Sequence, residues 1–196
     1  MCPKPRRRLL ASAPAHVGLP GDSGPCGAVP YVATAIYDDS VVRLCEITDE
    51  NRAAVTNLRV SVAQERFVAG VAESLDEADT SPEARPWYRA VYVDATPVGF
   101  VMLSDNVPPR DDRYPWRYFL WRLLIDERFQ RQGYGSATLN ALVAELQNRS
   151  DADALFTSAV PGDGSPLSFY EQYGFVRTGQ IFDDEIVLRL DLVGAS

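Results

Sequence analysis

The stretch QRQGYGSATL, Gln130–Leu139, follows the mostly apolar run YFLWRLLIDERF and carries the main clue to the fold. Gly133 and Gly135 stand one residue apart where an amphipathic pattern begins, although helices normally start with Ser, Thr, Asp or Asn. Glycine also costs backbone entropy at such a position. Two explanations stay open on the residues alone: a tight structural turn, or a place where an anion approaches the backbone.

The sequence around these glycines predicts one α/β domain. Leu139, Leu142, Val143 and Leu146 recur at helical spacing, which indicates a helix packed on a sheet. Apolar runs before and after it predict strands, and the full predicted order is β-α-α-β-β-β-α-β-α-β-β. We expect a mixed sheet covered by helices over residues 41–196. Residues 1–40 are rich in Pro, Gly, Ala and Ser, which predicts a disordered N-terminal extension.

Charge and hydropathy limit the classes of partner. The 196-residue chain has a net charge of −8, and only one of its 27 acidic residues lies before residue 38. An acidic body argues against nucleic acid and suits a cationic substrate. The sequence has no apolar run of the roughly 20 residues that span a bilayer, so no membrane partner is expected.

Histidine and cysteine usage narrows the chemistry further. His16 is the single histidine and falls in the predicted extension, which excludes Ser-His-Asp and Cys-His catalysis and most zinc sites. No metal is therefore expected. The three cysteines are an odd number without metal-type spacing, and no signal peptide is recognisable, which favours a reduced, cytoplasmic protein.

Two helices are predicted before the second strand. Thr48 is the predicted N-cap of a first helix that runs to about Val60, and a second helix is predicted over residues 65–78. Glu73 and Glu77 lie opposite the apolar face of the second helix. Such an acidic stripe fits either a solvated face or a surface that meets a cationic substrate.

Two motifs identify a resemblance. Residues 130–135, QRQGYG, match the pattern Gln/Arg-x-x-Gly-x-Gly/Ala of motif A in the GCN5-related N-acetyltransferase (GNAT) superfamily. Residues 169–179, FYEQYGFVRTG, resemble the second hallmark of that superfamily, a Tyr four residues before a Gly-Phe pair. With the element order, the resemblance covers about residues 41–192. It implies a GNAT-like mixed, mostly antiparallel sheet flanked by helices, and N-acetyl transfer from acetyl-CoA.

The resemblance also implies a cofactor site. The amides from Arg131 to Ser136 would hold the pyrophosphate, and the backbone of Leu123 and Ile125 would bind the pantetheine arm. The N–H of Ile125 would face the thioester carbonyl as a small oxyanion-type stabiliser. The residues implied in acetyl-CoA binding are Leu123, Ile125, Gln130, Arg131, Gln132, Gly133, Tyr134, Gly135 and Ser136.

Tyr170 is the candidate general acid, because it aligns with the tyrosine of the second hallmark. It lies in a short helix predicted between the N-cap Ser165 and Gly174. Phe169 and Tyr173 share this helix, so a core aromatic role for Tyr170 is the alternative.

An amine acceptor must lose a proton before it attacks, since an alkyl amine has a pKa of about 10.4. A carboxylate or a water that it holds is therefore expected near the thioester. The strand WRYFLWRLLI contains no acid. Glu73, Glu77, Asp105 and a water chain are the candidates for this role.

The similarity of three sequence stretches to known enzymes suggests the class of acceptor. QERFVAGVAESLDEA, PVGFVML and WRLLIDERFQRQGYG together resemble a bacterial branch of diamine and spermine/spermidine acetyltransferases. Trp87, Tyr88 and Trp116 are expected either to line an amine cleft through cation–π contacts or to pack on the sheet. The leading hypothesis is a small-amine or polyamine N-acetyltransferase. The alternatives are acetylation of a protein N-terminus, an aminoglycoside or an amino acid, or a non-catalytic acetyl-CoA-binding module. By resemblance alone, a homodimer is expected.

Overall fold

The computed structural model describes residues 42–108, 115–149 and 151–192. The predicted extension over residues 1–40 lies outside the described residues. Within the described ranges, no helix is long and apolar enough to cross a membrane.

The described residues form seven strands and four helices, which follow one another in the predicted order. The strands are β1 (Arg43–Cys45), β2 (Pro86–Val93), β3 (Thr96–Ser104), β4 (Phe119–Ile125), β5 (Ala154–Ala159), β6 (Val176–Phe182) and β7 (Glu185–Asp191). The helices are α1 (Asp49–Thr56), α2 (Val71–Thr80), α3 (Tyr134–Gln147) and α4 (Leu167–Tyr173). Short 3₁₀ turns occupy Val62–Gln64, Pro82–Ala84 and Glu127–Phe129.

All strands form one sheet in the order β1-β2-β3-β4-β5-β7-β6. Every neighbouring pair is antiparallel except β4 and β5, which run parallel. The prediction of a mixed, mostly antiparallel sheet is confirmed. The single parallel pair lies in the middle of the sheet, where the chain crosses from β4 to β5 through α3.

Helices cover both faces of the sheet, and β3 shows why. Its alternate side chains divide between two hydrophobic clusters, with Val101 and Leu103 on the α3 face and Phe100 and Met102 on the α1–α2 face. Successive residues of a strand point to opposite faces, so a continuous apolar run marks a strand buried on both sides. On the α3 face the predicted helix positions Leu139, Leu142 and Leu146 are all fully buried.

The predicted helix boundaries before β2 were wrong. Thr48 is the N-cap of α1, as predicted, and its N–H donates to Asn51 Oδ1 at 2.8 Å. However, α1 ends at Thr56, because the next residues turn toward β4 and the N–H of Arg59 donates to Asp126 Oδ2 at 3.0 Å. The second helix begins at Val71 rather than at residue 65, since the extended N-cap Gly70 interrupts the pattern.

Two smaller corrections concern single residues. α4 has Pro166 as its N-cap, one residue later than the predicted Ser165, while Gly174 ends the helix as predicted. Cys45 is disulfide-bonded, which contradicts the prediction that the cysteines are reduced. An odd cysteine count cannot reveal which residues pair.

Candidate active site

A cleft opens where β4 and β5 stop pairing. The two strands are matched at only two residue pairs, Phe119 with Phe156 and Leu120 with Thr157. At the last pair, Thr157 Oγ1 donates a hydrogen bond of 3.1 Å to the C=O of Leu120. The threonine hydroxyl therefore satisfies the carbonyl at which the ladder ends, and the strands diverge beyond it.

A β-bulge in β4 sits at the same point. The neighbouring residues Met102 and Leu103 of β3 pair with Arg122 and Leu120, which leaves Trp121 as the extra residue. A bulge bends its strand and increases the local twist. The bulge thus turns β4 away from β5 and helps to open the cleft.

The backbone of β4 presents hydrogen-bonding groups to the cleft. The N–H of Asp126 donates to the C=O of Val98 on β3 at 2.9 Å. Because backbone groups alternate in direction along a strand, those of Leu123 and Ile125 face the opposite side. The C=O of Ile125 accepts from Gln130 Nε2 at 2.9 Å, which leaves its N–H directed to the cleft.

The N-terminus of α3 closes one end of the cleft. Two residues just before the helix have left-handed backbone, Arg131 at φ 59° and Gly133 at φ 85°. Ala137 is the first helical residue whose N–H donates to this turn, at 3.0 Å from the C=O of Gly133. The N–H groups of residues 134–136 therefore project from the helix end, together with the positive end of the helix dipole.

The two motif positions, 133 and 135, require glycine for different structural reasons. A Cβ on Gly133 would meet nothing within 4 Å, so the surface there is open and the left-handed φ explains the glycine. A Cβ on Gly135 would approach Cζ of Phe169 to 3.1 Å. Close packing of α3 against α4 therefore explains Gly135, which lies inside the helix rather than in a tight turn.

A cavity of about 490 Å³ fills the cleft, and it gathers most of the predicted cofactor residues. Two of them, Gln132 and Tyr134, do not line it. The predicted residues that do are Leu123, Ile125, Gln130, Arg131, Gly133, Gly135, Ser136 and the candidate acid Tyr170. The part of the lining formed by residues 123–136 is called the β4–α3 wall below.

The opposite side of the cavity was not predicted. It is formed by Val60, Gln64, Phe67, Val68, Trp121 and Arg122, which are called the α1–α2 wall below. Gln130 Nε2 joins the two walls by donating to Gln64 Oε1 at 3.0 Å. Phe67 and Val68 were assigned to the predicted helix over residues 65–78, and that assignment gave no signal that they line a cavity.

The four residues predicted to contact the substrate do not line the cavity. Glu73 is exposed on α2, and Trp116 stacks on Phe119 with ring centroids 5.1 Å apart. Trp87 lines a second, separate cavity. Glu77 approaches the main cavity only through Arg122, and a role for these four residues in substrate binding stays a prediction.

Arg122 forms an ion pair with Glu77 and compensates its negative charge. Its Nη2 lies 2.6 Å from Glu77 Oε2, and its Nη1 donates to the C=O of Trp121 at 2.9 Å. The buried Nε of Arg122 has no hydrogen-bond partner within the described residues. The Glu77 carboxylate is thus already paired with a cation at the edge of the α1–α2 wall.

Asp126 ties the two walls together at the end of β4. Its carboxylate is 2% exposed and accepts from the N–H of Arg59 and from the N–H, Nε and Nη2 of Arg128, all within 2.7–3.1 Å. Burial by itself would raise the pKa of Asp126. The hydrogen bonds from Arg128 and Arg59 outweigh burial and hold the pKa below its ordinary value.

Tyr170 is buried at the point where the strands diverge. Its side chain is 6% exposed and hydrogen-bonds with Thr157. Burial raises its pKa to about 12; the Thr157 hydrogen bond opposes this effect and the negative charge of Glu185 adds to it. The phenol is therefore protonated, and able to donate, throughout the neutral range.

Two hydroxyl residues of β5 also line the cavity, Thr157 and Ser158. They are adjacent in the otherwise apolar run ALFTSAV, and this interruption was the available sequence signal. No group of three or more His, Cys, Asp or Glu side chains that could hold a metal ion is found in the described part of the chain.

Known proteins resemble this chain in sequence or in fold. A spermine/spermidine N(1)-acetyltransferase of Bacillus subtilis is 28% identical over 152 residues, which cover 77% of this chain and 99% of that protein. Among solved structures, the aminoglycoside acetyltransferase AAC(6')-Ib in complex with coenzyme A gives a TM-score of 0.60 at 17% identity, over 76% of this chain and 94% of that one.

A GNAT family acetyltransferase from Elizabethkingia anophelis, solved with acetyl-CoA bound, gives a TM-score of 0.51 at 16% identity, over 77% of this chain and 98% of that one. At these identities the two structures establish the fold alone. A sequence profile of the acetyltransferase (GNAT) family matches residues 52–175. The chain therefore belongs to the acetyltransferase (GNAT) family and is an acetyl-CoA-dependent N-acetyltransferase.

Proposed function

We propose that the protein transfers an acetyl group from acetyl-CoA to a primary amine of a polyamine. The observation that carries this proposal is the cleft between β4 and β5, which joins the open N-terminus of α3 to the buried Tyr170 in one cavity. Acetyl-CoA supplies the acetyl group as an activated thioester. The side chains and backbone groups around the cleft bind the cofactor and stabilise the charges that develop during transfer.

The end of α3 suits a diphosphate. The N–H groups of residues 134–136 and the helix dipole favour an anion at this point, and the cationic residue Arg131 lines the same cavity. Gly133 leaves the approach open because it has no side chain. We assign the diphosphate of the cofactor to this helix end.

The edge of β4 suits the extended arm of the cofactor. Leu123 and Ile125 direct backbone groups to a cleft from which β5 has diverged, so an extended molecule can pair with β4 as an added strand. The N–H of Ile125 lies at the cleft end of this edge. A donor in that position stabilises negative charge on a carbonyl oxygen during attack.

Tyr170 is the donor for the departing sulfur. An ordinary thiol has a pKa of about 8.5, whereas burial raises that of Tyr170 to about 12. Complete proton transfer to the thiolate would therefore cost about 5 kcal/mol. Tyr170 acts best as a protonated phenol that hydrogen-bonds the sulfur as negative charge develops on it.

Three observations support a polyamine acceptor. The curated relative from Bacillus subtilis acts on spermine and spermidine, and the net charge of −8 favours a polycation. Phe67 and Trp121 of the α1–α2 wall are aromatic residues, and aromatic side chains can bind an alkyl ammonium chain.

The test is CoA release from acetyl-CoA by the purified full chain. The panel holds putrescine, spermidine, spermine, an aminoglycoside, free amino acids and N-terminal peptides, and product masses are measured. We expect monoacetylated spermidine or spermine. Acetylation of a peptide or an aminoglycoside without any acetylated polyamine would contradict the acceptor class. Acetyl-CoA binding without product across the panel would favour a non-catalytic module.

A further inference from the structure

Among the residues that the structure describes, no acidic side chain lines the cavity, although its amine acceptor arrives charged. At pH 7 fewer than about one in a thousand alkyl amine molecules is neutral, given a pKa of about 10.4. The charged side chains that line the cavity are Arg122 and Arg131. A proton acceptor must therefore reach the cavity through another group.

The carboxylates predicted from the sequence are poor candidates for this role. Glu77 is paired with Arg122, and Glu73 is exposed on the outer surface of α2. Asp105 pairs with Arg149 and lines the second cavity. A fourth carboxylate, Glu185, does not line the main cavity but contacts Ser158, which does.

Ser158 connects the cavity to Glu185. Ser158 lines the cavity, and its Oγ–H donates a hydrogen bond to Glu185 Oε2. The register between β5 and β7 pairs Ser158 with Val187, which places Glu185 on the same face of the sheet as Ser158. Because its hydrogen is given to a carboxylate, the Ser158 oxygen turns its lone pairs toward other donors.

The surroundings leave the charge of Glu185 uncompensated. Glu185 is half-buried, and no cation pairs with it within the described residues. Its negative charge also raises the pKa of Tyr170 on α4. The adjoining acids Asp183 and Asp184 lie exposed in the β6–β7 turn.

Proton donor and proton acceptor lie on opposite faces of β5. Thr157 meets Tyr170 on the α4 face, while the next residue, Ser158, meets Glu185 on the other face. A thioester in the cleft is thus flanked by a donor on one side and an acceptor on the other.

We propose that Ser158 and Glu185 form the relay that removes the proton from the acceptor amine. An N–H bond of the ammonium breaks as its proton passes to Ser158 Oγ, and the Ser158 hydroxyl proton passes to the Glu185 carboxylate. The amine nitrogen keeps its electron pair for attack. Ser158 touches the substrate and Glu185 acts through it. The relay rests on the proposed function.

The test compares Glu185→Gln with the wild-type chain over pH 6–10, with spermidine as acceptor. We expect kcat/KM at pH 7 to fall about 100-fold, because general-base catalysis contributes 10²–10⁴. The loss should shrink about tenfold per pH unit as neutral spermidine accumulates. Tyr170 does not limit this alkaline recovery, because its pKa is about 12.

Asp183→Asn is the matched control. It removes one neighbouring negative charge and keeps a side chain that tolerates the left-handed φ of 47° at that position. Its pH profile should equal that of the wild type. Ser158→Ala, a second variant with little effect on packing, should reproduce the profile of Glu185→Gln.

A measurement without turnover completes the test. Calorimetry should show spermidine binding weakened about tenfold in Glu185→Gln, since the ammonium loses a charged partner, while acetyl-CoA binding is unchanged. A parallel loss at every pH, or a wild-type profile in Glu185→Gln, would overturn the relay alone. A wild-type chain that acetylates no amine of the panel would overturn the proposed function and the relay with it.

Discussion

The two walls of the cleft are built in different ways. The β4–α3 wall comes from one continuous stretch, residues 123–136, and offers mainly backbone N–H groups at a strand edge and a helix end. The α1–α2 wall is made of side chains from residues 60–68 and from two residues of β4. A local sequence motif therefore predicts the β4–α3 wall. The α1–α2 wall forms only when segments distant in sequence pack together.

This difference predicts how variants behave. Backbone groups survive most side-chain substitutions, so the β4–α3 wall should respond mainly to changes in conformation. The α1–α2 wall should respond to the contacts that hold it against β4. Tyr170 lies where the cleft begins, and a substitution there should affect the acetyl-transfer step itself.

The largest effect is expected for Tyr170→Phe. We expect kcat to fall about 10²- to 10³-fold, because one preorganised donor to developing charge is worth that much. Affinity for acetyl-CoA should be unchanged. Thr157 Oγ1 still donates to the C=O of Leu120 in this variant, so little folding energy is lost. Steady-state kinetics and calorimetry together measure both quantities.

Tyr173→Phe, on the same helix, is the control for this prediction. The hydroxyl of Tyr173 donates to Asn140 Oδ1 at 2.9 Å in an exposed position, so its removal should leave kcat within about twofold. Equal losses of kcat in the two variants, or an unchanged kcat in Tyr170→Phe, would show that Tyr170 is a core aromatic residue and not the proton donor.

The next effect concerns the link between the walls. Asp126→Asn should lower the free energy of unfolding by about 2 kcal/mol at pH 7, because an amide cannot accept all the hydrogen bonds from Arg59 and Arg128. The pKa of Asp126 is lowered by folding, so its stabilisation is present above about pH 4 and is lost as the pH falls further.

Urea denaturation of the wild type and of Asp126→Asn at several pH values measures this dependence. The difference between the two should shrink from pH 5 toward pH 2. The KM for spermidine should also rise in Asp126→Asn, since the α1–α2 wall loses its attachment to β4. A pH-independent difference would show that the carboxylate charge does not matter to the fold.

The smallest effect separates the two motif glycines. Gly133→Ala imposes a left-handed φ on an L residue, at a cost of roughly 1–2 kcal/mol, and its Cβ enters the open approach to the helix end. We expect weaker acetyl-CoA binding, about fivefold or more, with a smaller change in kcat. Calorimetry with acetyl-CoA measures the affinity.

Gly135→Ala should show the reverse pattern. Its Cβ would displace the ring of Phe169, whose centroid lies 5.3 Å from that of Tyr170, so kcat should fall more than affinity. If both variants lose only affinity, Gly135 also serves the anion and packing is not its main reason.

The sequence supported correct predictions where interactions are local. The order of strands and helices, the N-cap Thr48 and the stop at Gly174 follow from patterns within a few residues. The predicted helix over residues 65–78 was wrong at its start, because apolar spacing continued across Gly70 while the backbone did not. The predicted substrate residues Trp87 and Trp116 were chosen because aromatic rings can bind an amine through cation–π contacts, and neither lines the main cavity.

The sequence alone determined that a strand, a glycine-containing turn and a helix follow one another, because hydrophobic periodicity and backbone freedom are properties of neighbouring residues. Only the tertiary structure decided that β4 and β5 diverge after Leu120, that Arg122 pairs with Glu77, and that Ser158 meets Glu185. Those contacts join residues 27 to 45 positions apart. They depend on strand register and sheet twist, which no local pattern encodes.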